Sequence, residues 1–159
     1  MLQHICVEGL DIGQLHLAVS NHPIRYAEFS KMLRSCRSLV TLCVYDDFVL
    51  EWPTDFHGTH DMPFLRHIRI FGNMLEVSDF LLSISAPDLE RLTIAPIVQN
   101  DLAKLRRETS DSPRFPALVS LALAPTHSNV LTLRAIADAT ACFPEMKLVI
   151  LPSFNKLSS

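Results

Sequence analysis

A chain of 159 residues with 48% apolar and 19% charged residues is globular in composition and long enough for one domain around one core. Its net charge of -3, from 14 Lys and Arg against 17 Asp and Glu, leaves no basic excess for phosphate contacts and argues against nucleic acid as a partner. No apolar run approaches the roughly 20 residues that span a bilayer, and MLQHICVEGLDIG lacks the basic start and cleavage site of a secretory signal. No membrane partner is therefore expected, and the cytoplasm or nucleus is the default location.

In chain order, LQHICV (Leu2 to Val7) reads as a short strand. HPIRYAEFSKMLRSC follows with Tyr26, Phe29, Met32 and Leu33 at helical spacing, and CRSLVTLCV (Cys36 to Val44) is a second strand. YDDFVLEWPTDFHGTHD carries Pro53, Gly58 and two acidic clusters without a helical stripe, so it predicts an irregular connector packed by Phe48, Leu50 and Trp52. The strand MPFLRHIRI (Met62 to Ile70) leads into GNMLEVSDFLLSIS, whose Val77, Phe80, Leu81 and Ile84 fall at i, i+3, i+4 and i+7 on one helix face. APDLERLTI (Ala86 to Ile94) is the next strand, NDLAKLRRET a shorter helix and ETSDSPR a polar loop. After FPALVSLAL (Phe115 to Leu123), SNVLTLRAIADATACF predicts a helix that buries Leu133, Ile136, Ala137 and Thr140 and is capped by Ser128 or Asn129. FPEMKLVIL (Phe143 to Leu151) closes the series.

The strands share one frame, x-P-x-L-x-x-L-x-L. Its first apolar sites are Leu2, Leu39, Leu65, Leu89, Leu118 and Met146, spaced by 37, 26, 24, 29 and 28 residues. Four of these intervals lie in the band of roughly 20 to 29 residues occupied by leucine-rich repeats. Pro63, Pro87, Pro116 and Pro144 stand two residues before that site, where the missing N–H costs little because ladder pairing has not begun. Within the frame, the last two apolar sites point to one side of a strand and their neighbours to the other. A unit of strand, turn, helix and return cannot bury its apolar face alone. About six irregular repeats therefore predict an α/β leucine-rich-repeat solenoid over residues 1–159, with a curved parallel sheet on the concave side and helices on the convex side. A doubly wound sheet would also alternate strands and helices, but here the strands are short, the frame persists and no Gly-rich turn follows a strand. The first strand starts at Leu2 and the last is followed only by PSFNKLSS, without polar terminal caps, so the chain reads as a fragment of a longer solenoid.

The same alternation predicts the outward residues. They are His4, Cys6 and Glu8; Thr41, Cys43 and Tyr45; His67, Arg69 and Phe71; Arg91, Thr93 and Ala95; Ser120, Ala122 and Ala124; and Leu148, Ile150 and Pro152. Six of these make a candidate partner-binding surface: Tyr45, His67, Arg69, Phe71, Arg91 and Thr93. Neighbouring strands bring the basic groups together, and Arg pairs bidentately with carboxylate or phosphate, which suits an acidic or phosphorylated segment of a protein. An ordinary solvated face is the other reading, with Arg91 paired locally to Glu90. On the last strand, outward Leu148 and Ile150 would form an apolar patch or be covered by a further repeat.

Cys6, Cys36, Cys43 and Cys142 are scattered without C-x-x-C, as reduced buried thiols would be; Cys6 and Cys43 hold matching frame positions, which leaves a cross-strand disulfide geometrically open. HGTHD (His57 to Asp61) is either a loop metal site short of ligands or a set of solvated residues. With neither G-x-S-x-G nor a P-loop and only four glycines, no catalytic residue, metal or cofactor is assigned.

CRSLVTLCV, APDLERLTI and FPALVSLAL, with the amphipathic helices between them, resemble the degenerate leucine-rich repeats that follow the F-box in many fungal, basidiomycete-type F-box proteins. The resemblance runs from Leu2 to Leu151. It implies a non-catalytic module that holds the substrate of an SCF-type ubiquitin ligase. An F-box itself would carry L-P-x-E-x-L and later V-C-x-x-W; neither occurs here, so Skp or cullin docking requires an F-box outside this chain. The alternative is a stand-alone repeat scaffold or truncated gene product with no ligase role.

Overall fold

The computed structural model describes residues 14–18, 23–46, 48–53, 59–72, 76–97, 101–109, 114–125, 129–143 and 146–150. Six strands build one parallel sheet: β1 (Gln14–Ala18), β2 (Thr41–Tyr45), β4 (His67–Phe71), β6 (Arg91–Ile97), β7 (Ser120–Pro125) and β8 (Lys147–Ile150). They stand side by side in chain order, each beside its predecessor. A separate two-stranded parallel pair joins β3 (His60–Asp61) to β5 (Ile84–Ser85). The helices are α1 (Tyr26–Ser35), α2 (Val77–Leu82), α3 (Ala103–Glu108) and α4 (Asn129–Cys142).

The strands β2, β4, β6 and β7 are entered through the same turn. Leu39, Leu65, Leu89 and Leu118 donate their N–H to the carbonyls of Cys36, Met62, Ala86 and Phe115, all at 3.1 Å. Pro63, Pro87 and Pro116 thus occupy the second position of a four-residue turn, where their fixed φ is pre-set and no N–H is required. The turn drops its closing leucine into the core, and those of residues 39, 65, 89 and 118 are all buried. One residue later the ladder begins. Arg66 and His67 donate to the Val40 carbonyl, Glu90 and Arg91 to that of Arg66, and Val119 and Ser120 to that of Glu90.

From there the two-residue period separates the faces. Leu42, Ile68, Leu92 and Leu121 lie in register across β2, β4, β6 and β7, as do Val44, Ile70, Ile94 and Leu123, and all eight are buried. Burying each such side chain contributes about 1.5–3 kcal/mol relative to leaving it exposed. The core continues through Phe29, Phe48 and Phe80, whose rings lie 5.1–6.2 Å apart.

The helical side is tied by buried polar groups. Ser78 donates to the Asp101 carbonyl and accepts from the Leu105 N–H at 3.2 Å. Asp79 meets the Lys104 ammonium, and Asp138 accepts from Arg106 Nη1 at 2.9 Å. The buried carboxylates of Asp79 and Asp138 are thereby each matched by a cation from the neighbouring helix.

Several sequence expectations change. LQHICV with His4, Cys6 and Glu8 lies outside the described residues. The strand beside β2 is β1, so the 37-residue interval contains a further rung, whose Leu15 and Leu17 stand in register with Leu42 and Val44. His16 is the register partner of Cys43 in β1, and a Cys6–Cys43 pairing lies outside the described residues. In β8 the frame is one residue shorter: Leu148 and Ile150 align with the core residues Leu121 and Leu123, while Lys147 and Val149 continue the opposite face. Leu148 packs against the core and Ile150, in the last described strand, remains 49% exposed.

The stripe expected for α4 is also rotated. Leu133 is 70% exposed and Ala137 and Thr140 are exposed, Ile136 packs partly buried against the core as expected, and Ala135, Asp138, Ala139 and Cys142 are buried. Small side chains let this face lie close to its neighbours, and Asp138 turns inward because Arg106 is there to receive it. The Cys142 thiol, directed at the Leu102 carbonyl, is pushed up to about 11 by burial and by Asp138. In α1, by contrast, Phe29 and Leu33 are buried and Tyr26 and Met32 pack against the core, as the spacing predicts. Of the connector residues, Phe48 is buried and Trp52 packs on the core, but Leu50 is exposed because its N–H is engaged by the Ile24 carbonyl in a short parallel bridge that points its side chain away. Arg114, at the end of the polar ETSDSPR segment, donates to the Leu82 and Ile84 carbonyls at 2.6 and 2.7 Å.

Candidate functional site

The face of the sheet opposite the core presents three rows. Thr41, His67, Arg91, Ser120 and Lys147 share the first, and Cys43, Arg69, Thr93, Ala122 and Val149 the second. Tyr45, Phe71 and Ala95 make the third. The six candidate residues are thus gathered into three cross-strand pairs: Tyr45 with Phe71, His67 with Arg91, and Arg69 with Thr93. Strand spacing of about 4.8 Å places each pair within mutual reach.

The pairs differ in character. Tyr45 and Phe71 stack with centroids 5.5 Å apart and an interplanar angle of 22°. His67 Nδ1 lies 3.5 Å from Thr41 Oγ1. Burial first, then Arg91, Arg69 and Arg66, hold the imidazole below its usual pKa, against the pull of Glu90. Arg69 and Arg91 are exposed, and no carboxylate pairs with either among the described residues. The local partner anticipated for Arg91 is engaged elsewhere, because Glu90 meets Arg66 at 3.6 Å. Cys43 is buried beneath this face, and burial pushes its thiol up despite nearby Arg69. Ala95 and Ala124 are buried as well, so the outward rows are not uniformly solvated.

The third row is held in place at its rim. Asp46, with φ +54°, donates its N–H to the Phe71 carbonyl at 2.8 Å, and Gly72 donates to the Ala95 carbonyl at 2.9 Å. Gly72 has φ +87°, and a Cβ there would stand 2.2 Å from Asp46 Oδ1. Glycine satisfies both the backbone conformation and the close approach.

None of the outward positions of β2, β4, β6, β7 and β8 is Asp or Glu, in a chain whose acids outnumber its bases by 17 to 14. A sheet face with that composition attracts anionic side chains without a competing carboxylate of its own.

Comparison of the chain with protein-family models, with curated proteins and with solved structures gives no match. Among the described residues, no helix is long and apolar enough to cross a membrane.

HGTHD divides differently from either sequence reading. His57 and Gly58 lie outside the described residues, while His60 is buried in β3, with Nε2 3.4 Å from the Tyr26 hydroxyl and its ring edge-on to Phe29. Burial and Arg34 lower its pKa, with Asp61 opposing. It is a core histidine, not a solvated loop residue. Among the described residues, no three of His, Cys, Asp and Glu are grouped to hold a metal. The polar setting of His60 was not marked by spacing; the one available signal was its place just before the frame turn of MPFL.

Proposed function

We propose that this protein is a non-catalytic interaction module of the leucine-rich-repeat kind, and that its carboxylate-free sheet face receives an acidic segment of a protein partner. The observation that carries the reading is the juxtaposition of exposed Arg69 and Arg91 with the Tyr45–Phe71 stack on adjacent strands. Aromatic and Arg side chains together are the residues that most often anchor protein interfaces. A preformed sheet loses little entropy on binding, so a few anchors decide specificity.

The solenoid reading is supported by strand order and by the turn that recurs before β2, β4, β6 and β7. Every neighbouring pair is parallel and the order never reverses, as repeated addition of one unit beside the last would give. On the resemblance to F-box repeats, the proposed role of the module is substrate recognition for a ubiquitin ligase; a stand-alone scaffold is the second reading.

Charge reversal tests the surface. Arg69→Glu with Arg91→Glu is expected to weaken binding of a glutamate-rich peptide by more than about tenfold, since repulsion replaces attraction at both sites. Unchanged affinity would overturn the assignment. Co-purification from the native organism tests the ligase role separately: absence of a Skp or cullin subunit from the full-length gene product's complexes leaves the scaffold reading.

A further inference from the structure

The three rows differ in what they offer along the strand axis, and this orders the ligand. Arg91 stands in the first row, Arg69 in the second and the Tyr45–Phe71 stack in the third. Successive rows are two residues apart, about 6.6 Å. An extended peptide has the same two-residue repeat, so alternate side chains laid along the strands meet successive rows. We infer that the surface selects an extended segment with two carboxylates and one apolar side chain at alternate positions, acidic-x-acidic-x-apolar, in one chain direction; this rests on the interaction-module reading above.

The placement of Arg69 and Arg91 on different strands and in different rows favours a pair of carboxylates over a single phosphate. Arg69 and Arg91 belong to different strands and different rows, displaced by about 4.8 Å across and about 6.6 Å along the sheet. Each guanidinium fork matches one carboxylate. His67, beside Arg91 with Nδ1 3.5 Å from Thr41 Oγ1, adds an imidazole whose pKa burial and then Arg91 hold below its ordinary value. The apolar end of the ligand is set by the stack, which offers ring surface without a charged neighbour in its row: the next register position is Ala95.

The test is fluorescence anisotropy of the full chain with labelled peptides of one composition, two Glu and one Phe in a Gly/Ser background. One has the order Glu-x-Glu-x-Phe, one its reverse, and one has adjacent glutamates with the Phe at a distant position. One of the two alternating orders is expected to bind about tenfold tighter than the block order, a difference of roughly 1.4 kcal/mol. Phe71→Ala should weaken that peptide severalfold yet leave its Phe→Ala counterpart unaffected, a coupling that a merely structural loss would not give. Equal binding of all three orders, with sensitivity to Arg69→Glu and Arg91→Glu retained, overturns this inference and leaves the acidic-segment reading standing. Tighter binding of a single phosphoserine peptide than of the paired glutamates overturns it likewise. Binding indifferent to both reversals, or no binding of any peptide, overturns the interaction-module reading too.

Discussion

Gly72 and His60 are two residues whose roles come from neighbours far along the chain. At Gly72 the positive φ and the approach of Asp46 act together, so Gly72→Ala meets both backbone strain and a clash. The expected loss is about 1–2 kcal/mol for the left-handed conformation alone, measured as a lowered urea midpoint. His60 is buried between Tyr26 and Phe29, and its folded pKa lies below the ordinary value of 6.5. The unfolded chain therefore binds that proton more readily, and stability present above pH 6.5 is lost as pH falls through the folded value. His67 shifts in the same direction and adds to the effect. Thermal melts from pH 7.5 to 5.5 should show the melting temperature falling, with a shallower slope in His60→Phe; an unchanged slope would remove His60 from the account. The spacing within HGTHD does not mark His60 for burial, because its setting is made by α1 and the β3–β5 pairing.

Elements were readable where one neighbour decides their packing and misread where two compete. The face of α1 follows its apolar spacing, since large side chains such as Phe29 and Leu33 dominate the burial, whereas all six residues of α2 are buried and Ile84, expected on its stripe, stands in β5. The helix α4 offers two stripes, one larger and one smaller, and the smaller is chosen because Asp138 meets Arg106 and Ala135 and Ala139 permit close packing. Leu133→Asp is accordingly expected to change stability by less than about 0.5 kcal/mol, as at other exposed sites. Ala139→Leu should cost about 1–3 kcal/mol by overpacking. Equilibrium denaturation of the two variants discriminates the orientations, because the sequence-derived stripe reverses the ranking. At the strand entries, Pro87→Ala should lower stability by about 0.4–1 kcal/mol through the freer unfolded chain, the carbonyl-to-Leu89 turn bond being retained.

Across the whole molecule, the aligned strands turn a one-dimensional rhythm into a surface. Because Arg69 and Arg91 are exposed, the attraction they exert is screened over about 8 Å at physiological ionic strength. Binding of an acidic segment should weaken as salt is raised from 50 to 300 mM, and Arg69→Glu with Arg91→Glu should abolish that dependence in an anisotropy titration. A salt-independent affinity would assign the interaction to the Tyr45–Phe71 stack alone.

The frame x-P-x-L-x-x-L-x-L by itself determined the strands β2, β4, β6 and β7, their core-facing residues and the six candidate surface positions, because two-residue alternation and a proline-led turn are local properties of the chain. What only the tertiary structure decided is which rung stands beside which, the shifted register of β8 and the commitment of Glu90 to Arg66, leaving Arg91 without an acidic partner among the described residues. Those outcomes depend on pairing between segments more than 20 residues apart, and local periodicity carries no record of the partner.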